Sequence, residues 1–138
     1  MQIPIYQIDA FTDKAFGGNP AAVCPLDAWL ADETMQAIAF ENNLSETAFY
    51  VANDTGGYDL RWFTPAAEVD LCGHATLATG SLILEKLTPD AEGVKFETRS
   101  GTLSVVRENG NLVMDFPALP PTPADMPEGL VEAIGHEP

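Results

Sequence analysis

The run EVDLCGHATLATGSLILEK, residues 68–86, limits the possible folds more than any other stretch. From Gly73 to Ser81 its one conditionally charged group is His74, and its other polar side chains are Thr76, Thr79 and Ser81. Leu82, Ile83 and Leu84 follow before Glu85 and Lys86. A helix that is apolar nearly all round is a buried one. Ala75, Ala78 and Gly80 are small, so neighbouring backbone can approach closely. A flat sheet covers one side of a helix, so a curved sheet wrapping this one fits better. At its N-terminal end Asp70, Cys72, Gly73 and His74 gather an acid, a thiol, a bare backbone and an imidazole. Free amides and a partial positive charge there suit a bound carboxylate or phosphate.

The flanking segments supply the sheet. Residues 3–9 alternate and read as a half-buried strand. Gly17-Gly18-Asn19-Pro20 is turn chemistry without the spacing of a phosphate-binding loop. Residues 21–26 form a second strand, with Cys24 as a small buried hydrophobe. Residues 31–41 are a helix that Asp32 can cap, with Met35, Ile38 and Ala39 facing the core. Strands are predicted over 45–52 and 58–64. Beyond the central helix come strands over 93–99, 102–108 and 112–116, linked by Ser100-Gly101 and Asn109-Gly110 as tight hairpins. The tail from Pro117 is proline-rich, with at most a two-turn helix over 128–134. This order predicts an α+β fold with a curved mixed or antiparallel, barrel-like sheet around the central buried helix.

Composition narrows the partners. With 21 acidic against 6 basic residues the formal charge is −15, which opposes nucleic acid and anionic membranes. Two cysteines, Cys24 and Cys72, are too few for a disulfide scaffold or a structural zinc site. MQIPIYQIDAF has neither the basic start nor the long apolar run of a signal peptide. No apolar stretch approaches the ~20 residues needed to cross a bilayer. A cytoplasmic location is expected.

Three side chains are candidates for chemistry. The helix dipole disfavours protonated His74, so a neutral imidazole that donates or relays a proton is one reading, and a structural helix-end histidine is the other. A helix N-terminus lowers a thiol pKa, so Cys72 is either a reactive thiolate or an inert buried thiol. Cys72 and His74 as metal ligands would need two more partners, and the sequence offers no such cluster, so no metal is expected. Glu46 is the acid of SETAFYV; on an interior face it is an acid/base group, on the solvent face an ordinary charge. Asp70 is expected to cap or charge the helix start. No G-x-S-x-G element is present, which disfavours serine hydrolysis.

Four stretches together resemble the phenazine-biosynthesis PhzF family of isomerases, of the diaminopimelate epimerase-like fold. They are IDAFTDKAFGGNPAAVCPL, NNLSETAFY, LRWFTPAAEVDLCGHATLATG and FETRSGTLSVVRENGNLVMDFP, spread from Ile8 to Pro117. The resemblance implies two similar domains, each a curved sheet around a central helix, with the active site in the cleft between them. Glu46 would be the acid/base that shifts a proton on a carbon skeleton, without a cofactor. His74 would bind and orient the substrate. The Gly73 and His74 amides would hold a substrate carboxylate, with Asn19 and Asp70 as further binding positions. Cys72 occupies the place of the catalytic thiol in related epimerases.

The resemblance reaches only the first half of a family member. Residues 1–117 would be the first domain, and 118–138 a proline-rich crossover and the start of a second. Isomerase activity would then need that second domain or a partner subunit, and a homo-oligomer with an open cleft face is one way to complete it. The implied ligand is a small carboxylate-bearing metabolite. Two other readings differ in kind. One is a catalytically silent half-domain that binds a ligand or a protein. The other is a cysteine-type epimerase using Cys72.

Overall fold

The computed structural model describes residues 2–136. Eight strands form one sheet: β1 (Tyr6–Ala10), β2 (Asn19–Leu26), β3 (Glu46–Ala52), β4 (Tyr58–Phe63), β5 (Glu68–Val69), β6 (Gly93–Thr98), β7 (Gly101–Glu108) and β8 (Asn111–Asp115). Their order is β1-β2-β3-β4-β6-β7-β8, with the short β5 paired to β4. The β2/β3 and β4/β6 pairs are parallel and the others antiparallel, so the sheet is mixed. Helix α1 is Asp32–Asn42, α2 is Gly73–Leu82, and a single π-helical turn, Ile83–Leu87, extends α2. A short α3, Leu130–Ile134, follows an irregular proline-rich tail.

Helix α2 is the axis. It packs against β1, β2 and β3 from one half of the sheet and against β7 and β8 from the other. The sheet therefore curls around it as an α+β half-barrel, which is the expected architecture. His74, Ala75, Thr76, Ala78, Thr79, Gly80 and Leu82 are all buried. The two threonines are tolerated because their hydroxyls donate back along the helix, Thr76 to the Cys72 carbonyl at 2.5 Å and Thr79 to that of Ala75 at 2.7 Å. Arg107 donates to the Leu84 carbonyl at 2.8 Å and satisfies part of the far end.

The sheet has a second buried face. Met35 and Ala39 of α1 pack with Cys24, Phe49 and Phe63, and Ile38 flanks them. Ala48 and Tyr50 instead join the α2 cluster. Alternation along β3 thus sends Ala48 and Tyr50 inward and Phe49 outward. By the same period Glu46 belongs to the inner face, at the strand end nearest the start of α2.

Several boundaries differ from the sequence reading, each for a physical reason. β1 starts at Tyr6 rather than at residue 3, since Pro4 lacks an N–H for a ladder, and Ile3 packs instead beside the α1 cluster. β2 begins two residues early, at Asn19. Its prolines are accommodated because Pro20 pairs with β1 alone and Pro25 with β3 alone. Asp32 does not cap α1: Ala31 is the N-cap residue without a side-chain bond, and the Asp32 carboxylate pairs with Arg61 at 2.9 Å. The first hairpin turns on Arg99-Ser100, one residue earlier than expected, because Gly101 (φ 95) already pairs with Thr98. Asn109 and Gly110, with φ 50 and 81, make the type I′ turn that this dipeptide favours.

Gly80 marks the tightest approach of helix to sheet. A methyl group added there would lie 2.7–2.8 Å from Cβ, Cγ1 and Cγ2 of Val105. Val105 is stiff and fully buried, so it cannot swing away. Alanine would recover about 1 kcal/mol of helix propensity, while overpacking costs about 1–3 kcal/mol. Gly80→Ala is therefore expected to lose about 1–2 kcal/mol of stability in denaturant unfolding, and an unchanged or raised midpoint would contradict the close approach.

Candidate active site

The run-up to α2 is held by charge. Arg61 on β4 makes two hydrogen bonds to Glu68, at 2.7 and 2.8 Å, and Arg99 reaches the same carboxylate at 2.7 Å. The Ser100 hydroxyl donates to the Asp70 carbonyl at 2.8 Å. Bidentate pairing of this kind fixes direction as well as distance. It delivers Cys72 in an extended conformation (φ −144, ψ 118), and Gly73 opens the helix.

Three of the predicted residues meet there. His74 Nε2 lies 3.3 Å from Glu46 Oε2, and His74 Nδ1 lies 3.5 Å from Cys72 Sγ. The imidazole thus stands between a carboxylate and a thiol. Its side chain is 9% exposed and that of Glu46 19%. The Nε2···Oε2 pair is close enough to attract but off the line that a hydrogen bond requires, so both buried atoms lack a hydrogen-bond partner. A buried polar atom left in this state costs about 1–3 kcal/mol. Such groups persist where something else completes them.

The other predicted positions behave differently. Gly73 is half-buried, and a methyl group added to it would meet nothing nearer than Phe116 Cζ at 3.7 Å. Its backbone therefore borders open space rather than tight packing. Asn19 sits at the start of β2, where its Oδ1 accepts a long 3.5 Å bond from Ser45, next to Glu46 in sequence. Asp70 does not cap α2; no side chain does. Its carboxylate is 74% exposed and turned to Arg99 at 3.5 Å. Arg99 and Phe116 were not singled out from the sequence. The signal for Arg99 was a lone basic residue in an acidic hairpin.

The thiolate expectation for Cys72 is corrected. Burial, foremost, and the Glu46 charge push its thiol up to about 11, against the downward pull of the Ala75 and His74 amides. Cys24 is pushed up to about 12 by burial alone, and it lies with Phe49 and Phe63 on the opposite face of the sheet. The two thiols cannot act on one substrate atom. The expectation that Cys72 and His74 have no companion ligand is also corrected: one donor atom each from Glu46, Cys72 and His74 lies within 4.8 Å of the other two. No helix among the described residues is long and apolar enough to cross a membrane.

With fold and site described, similarity to known proteins becomes informative. The sequence profile of the family described as phenazine biosynthesis-like protein, PhzC-PhzF, matches residues 8–130. The chain belongs to this family. An uncharacterized isomerase of Pseudomonas aeruginosa is 62% identical over 135 residues, 98% of this chain and 52% of that protein. A second from the same organism is 50% identical over 138 residues, 100% of this chain and again 52% of the relative. A crystal structure of a phenazine biosynthesis PhzC/PhzF protein from Clostridium difficile superposes with a TM-score of 0.85 at 44% identity, covering 99% of this chain and 52% of that one. The chain thus spans about half the length of these PhzC-PhzF relatives.

The raised thiol gives a direct check. The thiolate is the reactive form, so alkylation of Cys72 should accelerate about tenfold per pH unit between about pH 8 and about pH 10. Mass spectrometry after timed iodoacetamide treatment measures it. A rate that levels off below about pH 9 would mean a low-pKa thiol and contradict the burial argument.

Proposed function

We propose that the chain forms one wall of a cofactor-independent isomerase site that shifts a proton on a small carboxylate-bearing metabolite. The observation that carries this is the buried, incompletely satisfied Glu46–His74 pair, 3.3 Å apart, at the start of a helix with no side-chain cap. The substrate carboxylate would sit against the Gly73 and His74 amides, where the helix dipole favours an anion. Glu46 takes the proton from the adjacent carbon, and the electron pair moves into the substrate's neighbouring unsaturated group. The same carboxyl returns the proton at another carbon, so substrate and product are isomers. His74 orients the substrate and holds the Glu46 carboxylate in place. This assigns Glu46 the role of acid and base in turn, as a single general acid/base group can be.

The isomerase names carried by the Pseudomonas relatives agree with such chemistry. The other wall of the cleft would come from a second domain following residues 118–138, or from another copy of the chain. A cysteine-type epimerisation is less well supported, since Cys72 is protonated at neutral pH and Cys24 faces away.

The test follows deuterium. The chain, supplied with the C-terminal half of its Pseudomonas relative, is incubated in deuterated water with a panel of small unsaturated, hydroxy and amino acids. Carbon-bound exchange is read by NMR. Exchange with at least one acid is expected, and Glu46→Gln should slow it by about 10²–10⁴-fold. Undiminished exchange in that variant would remove Glu46 from the mechanism. No exchange across the panel would remove the isomerase reading.

A further inference from the structure

The geometry points to a binding site for a borderline-soft divalent cation of the zinc class, held by Glu46, Cys72 and His74. Their donor atoms lie within 4.8 Å of one another. The set of one carboxylate oxygen, one imidazole nitrogen and one sulfur suits Zn²⁺ or Co²⁺, whereas Mg²⁺ and Ca²⁺ select oxygen ligands. Three protein ligands leave a fourth position open.

The distances support this more closely than composition alone. Two donors, each about 2.0–2.1 Å from a tetrahedral ion, stand about 3.3 Å apart. His74 Nε2 and Glu46 Oε2 stand 3.3 Å apart, are misaligned for a hydrogen bond, and have no other partner. A cation between them would satisfy both lone pairs, which a direct contact does not. The thiol must approach by roughly an ångström, within reach of a side-chain rotation. Binding breaks the S–H bond of Cys72 and forms a sulfur–metal bond, the proton passing to solvent. The thiolate and carboxylate together then balance the dication. The carboxylate also lies next to the thiol, as its upward push on the Cys72 pKa records.

The site shares its side chains with the proposed proton-transfer centre but rests on their placement, not on that reading. It is read without turnover, so either can fail while the other stands. Titration of the chain with Co²⁺ is expected to produce a sulfur-to-cobalt charge-transfer band and intense visible bands of a tetrahedral ion, at one equivalent. Zn²⁺ should bleach them, and excess Mg²⁺ should not. Cys72→Ser should abolish the charge-transfer band, and Cys24→Ser should keep it. Glu46→Gln should keep it with affinity lowered at least tenfold, since even outer-shell partners change metal affinity by about 10–100-fold. Should Cys72→Ser not fold, Zn²⁺ protection of wild-type Cys72 against alkylation, mapped by mass spectrometry, serves instead. The inference is overturned if no charge-transfer band forms, or if it survives Cys72→Ser. It is also overturned if only a weak octahedral spectrum appears, as from surface carboxylates, if Glu46→Gln leaves affinity unchanged, or if Zn²⁺ leaves Cys72 unprotected.

Discussion

Everything in this structure depends on covering α2 on nearly every side. A ten-residue helix is marginal in water on its own, so packing must hold it. One flat sheet would leave half of its apolar surface wet. The mixed sheet instead curls until β1–β3 and β7–β8 both touch the helix. The closest contact, Gly80 against Val105, has room for a hydrogen and no more. Thr76 and Thr79 avoid a desolvation penalty by bonding their own helix. Side chains on this inner surface are consequently tied to one register, since a slip of one residue would turn Ala48 and Tyr50 away from the helix.

That register also builds the site. Glu46 shares the inner face of β3 with Ala48 and Tyr50, so the alternation that packs the core carries a carboxylate to the mouth of α2. The parallel pairing of β3 to β2 fixes its depth, with Glu46 opposite Ala21. On the other side, Arg61 and Arg99 clamp Glu68 and set where the chain turns into the helix. The formal charge of −15 does not forbid an anionic ligand there. Screening confines exposed charges to about 8 Å at physiological salt. Near the helix start the local field is set instead by the helix dipole, about half a positive charge, against Glu46. That balance is close, which makes the protonation of Glu46 and the orientation of His74 central to what binds.

Much of this was legible in the sequence because it depends on short-range pattern. The uncharged run 73–81 announced a buried helix, Asn109-Gly110 a hairpin, and Met35, Ile38 and Ala39 the face of α1. Glu46 and His74 could be named as candidates, but their contact could not be derived from spacing, as strand pairing alone brings them together. The misreadings share one cause. Asp32 and Asp70 look like helix caps until Arg61 and Arg99, distant in sequence, claim their carboxylates. Cys72 looks like an activated thiolate if the helix dipole acts alone. Burial is the larger effect here, and it is a tertiary quantity. β5 is two residues long and carries no periodicity to detect.

The Glu46–His74 pair shows why the site is better regarded as a surface awaiting a complement than as a finished structural contact. A structural pair of this burial would be expected to align, since alignment removes the desolvation cost at no loss elsewhere. Here the two atoms approach to 3.3 Å and remain unsatisfied. Gly73 beside them borders open space, and no side chain caps the helix amides. Donors, acceptor and opening therefore converge on one place. A substrate carboxylate would use the amides and leave Glu46 free to move a proton. A zinc-class cation would use Glu46, His74 and Cys72 and leave the amides alone. The two ligands draw on different atoms of one mouth, and both would meet there the partners that the fold itself withholds.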